Sequence, residues 1–159
     1  ARDEARPRPD RCAVSLDGSI RQVGPPPGVF DRPETMAVAA FIGSPPMNLL
    51  PAELDGNTLR LEGGSVRLPW TPEREPGPVT LGIRPSHMRI DPDGIRTRLY
   101  LSENLGESVL LNLYLGDKLI KMRVPSFDSG SEGDEVRVSL DPGAIHLFDS
   151  QTGLRIPAG

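Results

Sequence analysis

The stretch over residues 95–124, IRTRLYLSENLGESVLLNLYLGDKLIKMRV, constrains this chain more than any other. Its apolar and polar residues alternate at period two, the pattern of half-buried strands. Ile95, Leu99 and Leu101 share one parity, Val109, Leu111, Leu113 and Leu115 the next, and Ile120, Met122 and Val124 a third. Gly116-Asp117 suits a two-residue hairpin loop with glycine first. Such a loop sets Leu115 opposite Lys118, Leu113 opposite Ile120, Leu111 opposite Met122 and Val109 opposite Val124. A loop one residue longer would set Leu111 against Lys121, because a one-residue slip flips every side chain. Upstream, a loop over residues 103–107 pairs Leu101 with Val109 and Leu99 with Leu111. The pattern predicts a three-stranded meander with one apolar and one polar face, Asn112 and Lys121 meeting on the latter.

The rest of the chain supports short strands and many turns. Among its 159 residues are 18 prolines and 17 glycines, while aromatics make up only 4%, so a core must come from Leu, Val and Ile. The charged end at residues 1–10 holds Pro7 and Pro9, which oppose a helix there. Residues 12–16 and 20–23 read as two strands around Asp17-Gly18, a hairpin too small to be stable alone. Gly24 to Gly28 is a breaker. Asp31 offers an N-cap for a short helix over residues 35–41, with Met36 and Ala40 inward, ended by Gly43 and Pro45-Pro46. Residues 47–153 read as all-β. Strands are expected at 49–54, around Leu59 and Leu61, at 66–68, 79–84, 87–90, 136–140 and 145–148, with a proline-rich loop at 71–78. This predicts a small barrel or sandwich.

Little chemistry is written into the chain. Lys118 and Lys121 are its only lysines, and neither follows a glycine, so no phosphate-binding loop is present. No nucleophile elbow and no Cys/His metal spacing occurs. His87 reads as a strand-end residue bonded to backbone, His146 as surface or packing, Cys12 as a small core residue and Trp70 as a loop anchor. A net charge of −4 argues against nucleic-acid binding. No apolar run is long enough to insert in a membrane, and a single cysteine fits a cytoplasmic location. No cofactor is expected. The only stretch resembling a ligand site is the loop Ser102, Glu103, Asn104, near Ser108, with Arg123 supplying charge; Glu103 and Glu107 would repel an anion there.

Several segments resemble one family in order along the chain. FIGSPPMNLL at 41–50 is similar to the junction after the ATPase domain in ATP-binding subunits of ABC sugar importers of the maltose and glycerol-phosphate type. LGIRPSH at 81–87 resembles that family's GIRPEH segment, ENLG at 103–106 its E-x-L-G element, and LFD at 147–149 with Thr152-Gly153 its C-terminal ending. Asp17-Gly18 through Gly24, and Phe30-Asp31-Arg32-Pro33, resemble the end of its ATPase domain. Ser86 stands where the family has glutamate.

The resemblance implies a mainly β chain whose OB-like small barrel, of the transport-associated (TOBE/MOP-like) type, follows a short helix and a hairpin remnant. It implies residues 1–24 as the end of an ATPase domain, partly disordered, 25–47 as a linker with a short helix, and 48–156 as the regulatory domain. The expected function is a regulatory and dimerisation domain of a carbohydrate-import ATP-binding subunit, non-catalytic because the ATPase core is missing. Expected partners are a second copy, or the ATPase and permease complex at the inner face of the membrane, and a regulatory protein. The alternative is a freestanding module binding an oxyanion or metabolite at Ser102, Glu103, Asn104, Ser108 and Arg123.

Overall fold

The computed structural model describes residues 12–16, 19–24, 32–41, 43 and 45–157. The expected terminal segment 1–10, the Asp17-Gly18 turn, most of the Gly24–Gly28 breaker and the Asp31 cap lie outside the described residues. Two strands, β1 (Cys12–Leu16) and β2 (Ser19–Gly24), form a separate antiparallel pair with Ala13 opposite Val23. A single helix turn and a half, α1 (Met36–Phe41), follows. Nine further strands come after it: β3 (Asn48–Asp55), β4 (Thr58–Leu61), β5 (Gly64–Arg67), β6 (Gly77–Ile83), β7 (Met88–Asn104), β8 (Val109–Leu115), β9 (Lys118–Val124), β10 (Glu135–Leu140) and β11 (His146–Phe148). They make two antiparallel sheets, one ordered β11-β6-β3-β4-β5 and the other β10-β7-β8-β9. The chain is therefore mainly β with an OB-like arrangement of short antiparallel strands.

Alternation explains which faces meet. Leu50, Leu54, Leu59, Leu81 and Ile83 from the first sheet pack against Leu111, Leu113, Ile120 and Met122 from the second, all almost wholly buried in one cluster. At about 25 cal/mol per Å² of apolar surface, each such leucine contributes on the order of 2 kcal/mol against exposure. The sheets join at two places. At one, the β4–β5 turn lies on β7: a Cβ at Gly64 would stand 3.0 Å from the Ile95 side chain, and one at Gly63 (φ 85°) 2.9 Å from the Arg96 carbonyl. At the other, the Asn48 side chain bonds the backbone of Lys121. Pro51 is tolerated inside β3 because β4 pairs only with Glu53 to Asp55, leaving the missing N–H of Pro51 on an unpaired side.

The β8–β9 register is the expected one: Val109 with Val124, Leu111 with Met122, Leu113 with Ile120, Leu115 with Lys118. The β7–β8 register is not. Leu99 faces Leu113 rather than Leu111, and Leu101 faces Asn112 rather than Val109. The cause is local. Asn104 Oδ1 accepts the Gly106 N–H at 2.8 Å, and the Leu105 N–H donates to the Ser108 carbonyl at 2.8 Å. This tight turn keeps β7 paired through Asn104 opposite Val109. A bulge at Tyr100 then returns Leu99 to the inner face and turns Leu101 out, so that Leu99 is 3% exposed and Leu101 39%. The polar face is also drier than expected, since Asn112 is buried.

The expected short strand at 87–90 is the start of the 17-residue β7, after a 3-10 turn at Pro85–His87. Helix α1 begins on Thr35, whose Oγ1 accepts the Val38 N–H at 3.2 Å. Val38 and Ala39 face inward, Met36 is half-buried and Ala40 is exposed, because a helix this short rests on the sheet through one turn. It covers a second cluster of Ala39, Met47 and Phe148 on the outer face of the first sheet. Gly82 makes room there: a Cβ would lie 2.5 Å from the Met47 sulfur. The tail returns across this face, with the Met36 N–H donating to the Gly153 carbonyl at 2.8 Å and the Arg155 N–H to the Glu34 carbonyl at 2.9 Å.

Candidate functional site

The five residues singled out in the sequence sit at the far end of the meander. Ser102, Glu103 and Asn104 close β7, Ser108 precedes β8, and Arg123 lies near the end of β9. Glu103 and Arg123 both pair with Leu110, from opposite sides, so the fold brings them to one row of one face. Ser102 and Asn104 have the other parity. The Glu103 carboxylate accepts the buried Asn112 Nδ2 at 2.9 Å, and the Asn104 side-chain Oδ1 is used by the turn. Ser102, Glu103, Asn104 and Arg123 are exposed and Ser108 is half-buried. The cavities near Phe127, near His146 and near Arg74 lie elsewhere.

A second cluster was not legible as a site. Asp149 builds it. Its Oδ1 accepts the Gln151 and Thr152 N–H groups, both at 2.8 Å, and its Oδ2 accepts Arg74 Nη2 at 2.7 Å. The resulting turn sends residues 154–156 back along β11, where the Ile156 N–H donates to the Leu147 carbonyl at 2.8 Å. Arg155 thereby lies over the Phe148 ring, 5.3 Å from its centroid. Its Nε donates to the Pro33 carbonyl at 2.8 Å and its Nη2 stands 2.9 Å from His146 Nδ1. Guanidinium can only donate, so His146 Nδ1 accepts and the ring proton is on Nε2. His146, Arg155, Arg32 and Trp70 line a cavity of about 270 Å³. The expected surface or packing role of His146 thus has a specific partner. Trp70 is half-buried against the core, as a loop anchor should be. His87 is exposed, in the 3-10 turn rather than at a strand end. Among the described residues no cluster of His, Cys, Asp and Glu could hold a metal ion.

The titrating groups here follow their surroundings. Burial, then the Arg155, Arg84, His87 and Arg32 charges, lower His146 from 6.5 to about 4. Burial and Arg32 lower Arg155 to about 10, against a raising effect of Glu34. The Thr152 N–H, Arg74 and the Gln151 N–H hold Asp149 down at about 2. Because His146 and Asp149 are both depressed, the unfolded chain binds more protons than the folded one in their windows, so stability falls as pH falls. Loss is expected from pH 6.5 to about 4 through His146, and from 3.8 to about 2 through Asp149. Melting temperatures across pH 2–8 (about the span of both windows) check this. His146→Gln should flatten the upper window and Asp149→Asn the lower; an unchanged slope in either variant would refute that assignment.

Comparison with known proteins places this geometry. Residues 43–88 match the model of the MalK OB fold domain, and residues 81–148 match that of the TOBE domain. The chain is 40% identical over 156 residues to the sn-glycerol-3-phosphate import ATP-binding protein UgpC of a Ruegeria species, covering 96% of this chain and 44% of the relative. It is 36% identical over 155 residues to the protein of the same name from a Jannaschia species, with the same coverage. It is 36% identical over 160 residues to the sulfoquinovosyl glycerol transport ATP-binding protein SmoE of Agrobacterium fabrum, covering 94% of this chain and 44% of the relative. The chain thus spans less than half the length of these relatives.

Proposed function

This chain carries the MalK OB fold and TOBE domains, and on that premise we propose that it is part of the ATP-binding protein of a sugar-importing ABC transporter and works by binding and assembly, without catalysis. The observation that carries the reading is the way the two domain models tile the fold. The first runs from Gly43 through β3–β6 to the start of β7, and the second from β6 through β11. The OB-like body at residues 48–156 is then the regulatory domain, 25–47 the linker and 1–24 the end of an ATPase domain. The separate β1–β2 pair supports that division.

The relatives' names speak of importing sn-glycerol 3-phosphate and of transporting sulfoquinovosyl glycerol. For this chain we carry over a place in a carbohydrate importer, at the cytoplasmic face of the membrane and held there by partners. Among the described residues no helix is long and apolar enough to cross a membrane, which fits attachment through other subunits. The partners in this reading are a second copy, the ATPase and permease subunits, and a regulatory protein. The end of the meander, with Ser102, Glu103, Asn104, Ser108 and Arg123, is the surface offered to an effector.

Two measurements test the proposal. Purified chain should hydrolyse no ATP above a buffer control, and light scattering at micromolar concentration should give the mass of a dimer. Hydrolysis removed by dialysis against a magnesium chelator would overturn the non-catalytic reading. A monomer mass at every concentration would overturn self-assembly.

A further inference from the structure

The two sheets differ in what lies over their outer faces. The first is covered by α1 and the returning tail. The outer face of the second carries no covering helix or strand among the described residues. The registers map it. Glu135, Arg98, Tyr114 and Leu119 stand side by side across β10, β7, β8 and β9. The next row holds Leu101, Asn112 and Lys121, and on the far side of the first row Arg137 faces Arg96. The bulge brings the Tyr100 ring against that of Tyr114, edge to face with centroids 5.5 Å apart. Tyr100, Leu101 and Leu119 are 38%, 39% and 41% exposed, so apolar surface is gathered on one open face.

The charge beside it has one sign. Among the described residues Arg96, Arg98 and Lys121 have no carboxylate within ion-pair distance, whereas Arg137 is held by Glu135 at 3.1 Å. The chain as a whole carries −4, so this face locally reverses its sign. Tyrosine and arginine around an apolar centre are the residues that carry binding energy at protein interfaces. We propose that this outer face docks a partner protein whose surface presents carboxylates around an apolar centre. Tyr100, Leu101 and Leu119 take the apolar part, and Arg98 and Lys121 the carboxylates. A second copy fits this face badly, because a two-fold contact sets each patch against itself and cation against cation. A single nucleic-acid strand also fits badly. The tyrosines meet edge to face and offer no pair of parallel platforms, and the two leucines give bases nothing to stack on. The inference stands on the geometry and charge of this sheet and holds whether or not the chain serves a transporter.

The probe is a fluorescein-labelled peptide in which glutamates flank a pair of phenylalanines, titrated with the full chain at low ionic strength. The expected result is a saturable rise in anisotropy that added sodium chloride weakens. The same peptide with lysine for glutamate should not bind, and oligoglutamate should bind more weakly for want of the apolar centre. Arg98→Glu should weaken binding about tenfold or more, since reversal removes an attraction and adds a repulsion. Arg67→Glu makes the same charge change at an exposed position of β5 in the other sheet and should bind as the parent does. Both positions are exposed, and equal melting temperatures confirm that both variants are folded. By NMR, the methyl groups of Leu101 and Leu119 should shift on binding while those of Leu111 and Leu113, on the inner face, stay in place. No saturation, equal loss in Arg98→Glu and Arg67→Glu, or shifts confined to other surfaces would each overturn the proposal. Tighter binding of oligodeoxythymidine than of the acidic peptide would assign the face to nucleic acid instead. A fall in mass by light scattering in Leu119→Ser would assign it to self-assembly, and either result also overturns the proposal.

Discussion

Gly94→Ala is expected to destabilise the fold by about 3 kcal/mol or more, the range of a forced core overpacking with backbone displacement. The glycine lies in a five-residue excursion of β7. The β10 partners jump from Arg137 opposite Arg96 to Val138 opposite Ile90, so residues 91–95 have no opposite number. The excursion folds on itself through the Asp93 N–H to Asp91 Oδ1 bond at 2.9 Å, and Arg137 Nη1 ties it down by donating to the Gly94 carbonyl at 3.3 Å. Gly94 thereby lies directly on the Val138 backbone. An added Cβ would be 2.9 Å from the Val138 nitrogen and closer still to its carbonyl. A flexible side chain can yield to such a methyl group; a paired strand cannot. Relief requires lifting the excursion, which exposes Ile95 and Val138, now 5% and 1% exposed. In a domain of this size ~3 kcal/mol corresponds to a melting temperature lower by roughly 6–12 °C. Gly143→Ala is the control, because a Cβ there meets only Asp141 Oδ1 at 3.5 Å. Urea unfolding of both variants checks the prediction, and equal midpoints would refute it.

What the sequence reveals about this fold divides by distance along the chain. The β8–β9 pairing is written within sixteen residues: glycine at the turn, then matched parity on both sides. The β7–β8 pairing is as local but depends on one side chain. Asn104 can end a strand or fold a turn onto Gly106, and period-two alternation does not say which. The bulge at Tyr100 follows from that choice, and with it the exposure of Leu101. The candidate residues divide in the same way. Glu103 and Arg123 share a row because both registers cross at Leu110, and the β9 half of that was readable. The cavity at His146 was not. Its arginines come from positions 32 and 155, brought together by the Asp149 turn and by the return of the tail over Phe148. The LFD and Thr152-Gly153 elements mark that turn in the sequence, but they do not say what the next arginine will touch.

Asn48→Ala should cost about 2–4 kcal/mol, because it removes the two hydrogen bonds to the Lys121 backbone, with a longer one to the Met88 sulfur, and leaves their partners in a nearly dry joint. β9 is the last strand of its sheet, so one row of its backbone groups has no strand to meet. Asn48 stands in for that strand at one position. Its Nδ2 donates to the Lys121 carbonyl and its Oδ1 accepts the Lys121 N–H, each at 2.8 Å, with the residue only 9% exposed. A side-chain amide presents a donor and an acceptor side by side, as a neighbouring backbone would. Aspartate has the same shape without the donor. Asn48→Asp should therefore be at least as damaging at neutral pH, with a carboxylate oxygen set against the Lys121 carbonyl. That repulsion favours the protonated acid in the folded state and raises its folded pKa. The deficit relative to the parent at the same pH should then shrink as pH falls through that raised value, because protonation restores the donor. Hydrogen exchange gives the local test. In Asn48→Ala the Lys121 amide should lose protection, while Ile120 and Met122, whose N–H groups point to β8 by antiparallel alternation, keep theirs. Unchanged protection of Lys121 would mean that this edge is held by something other than Asn48.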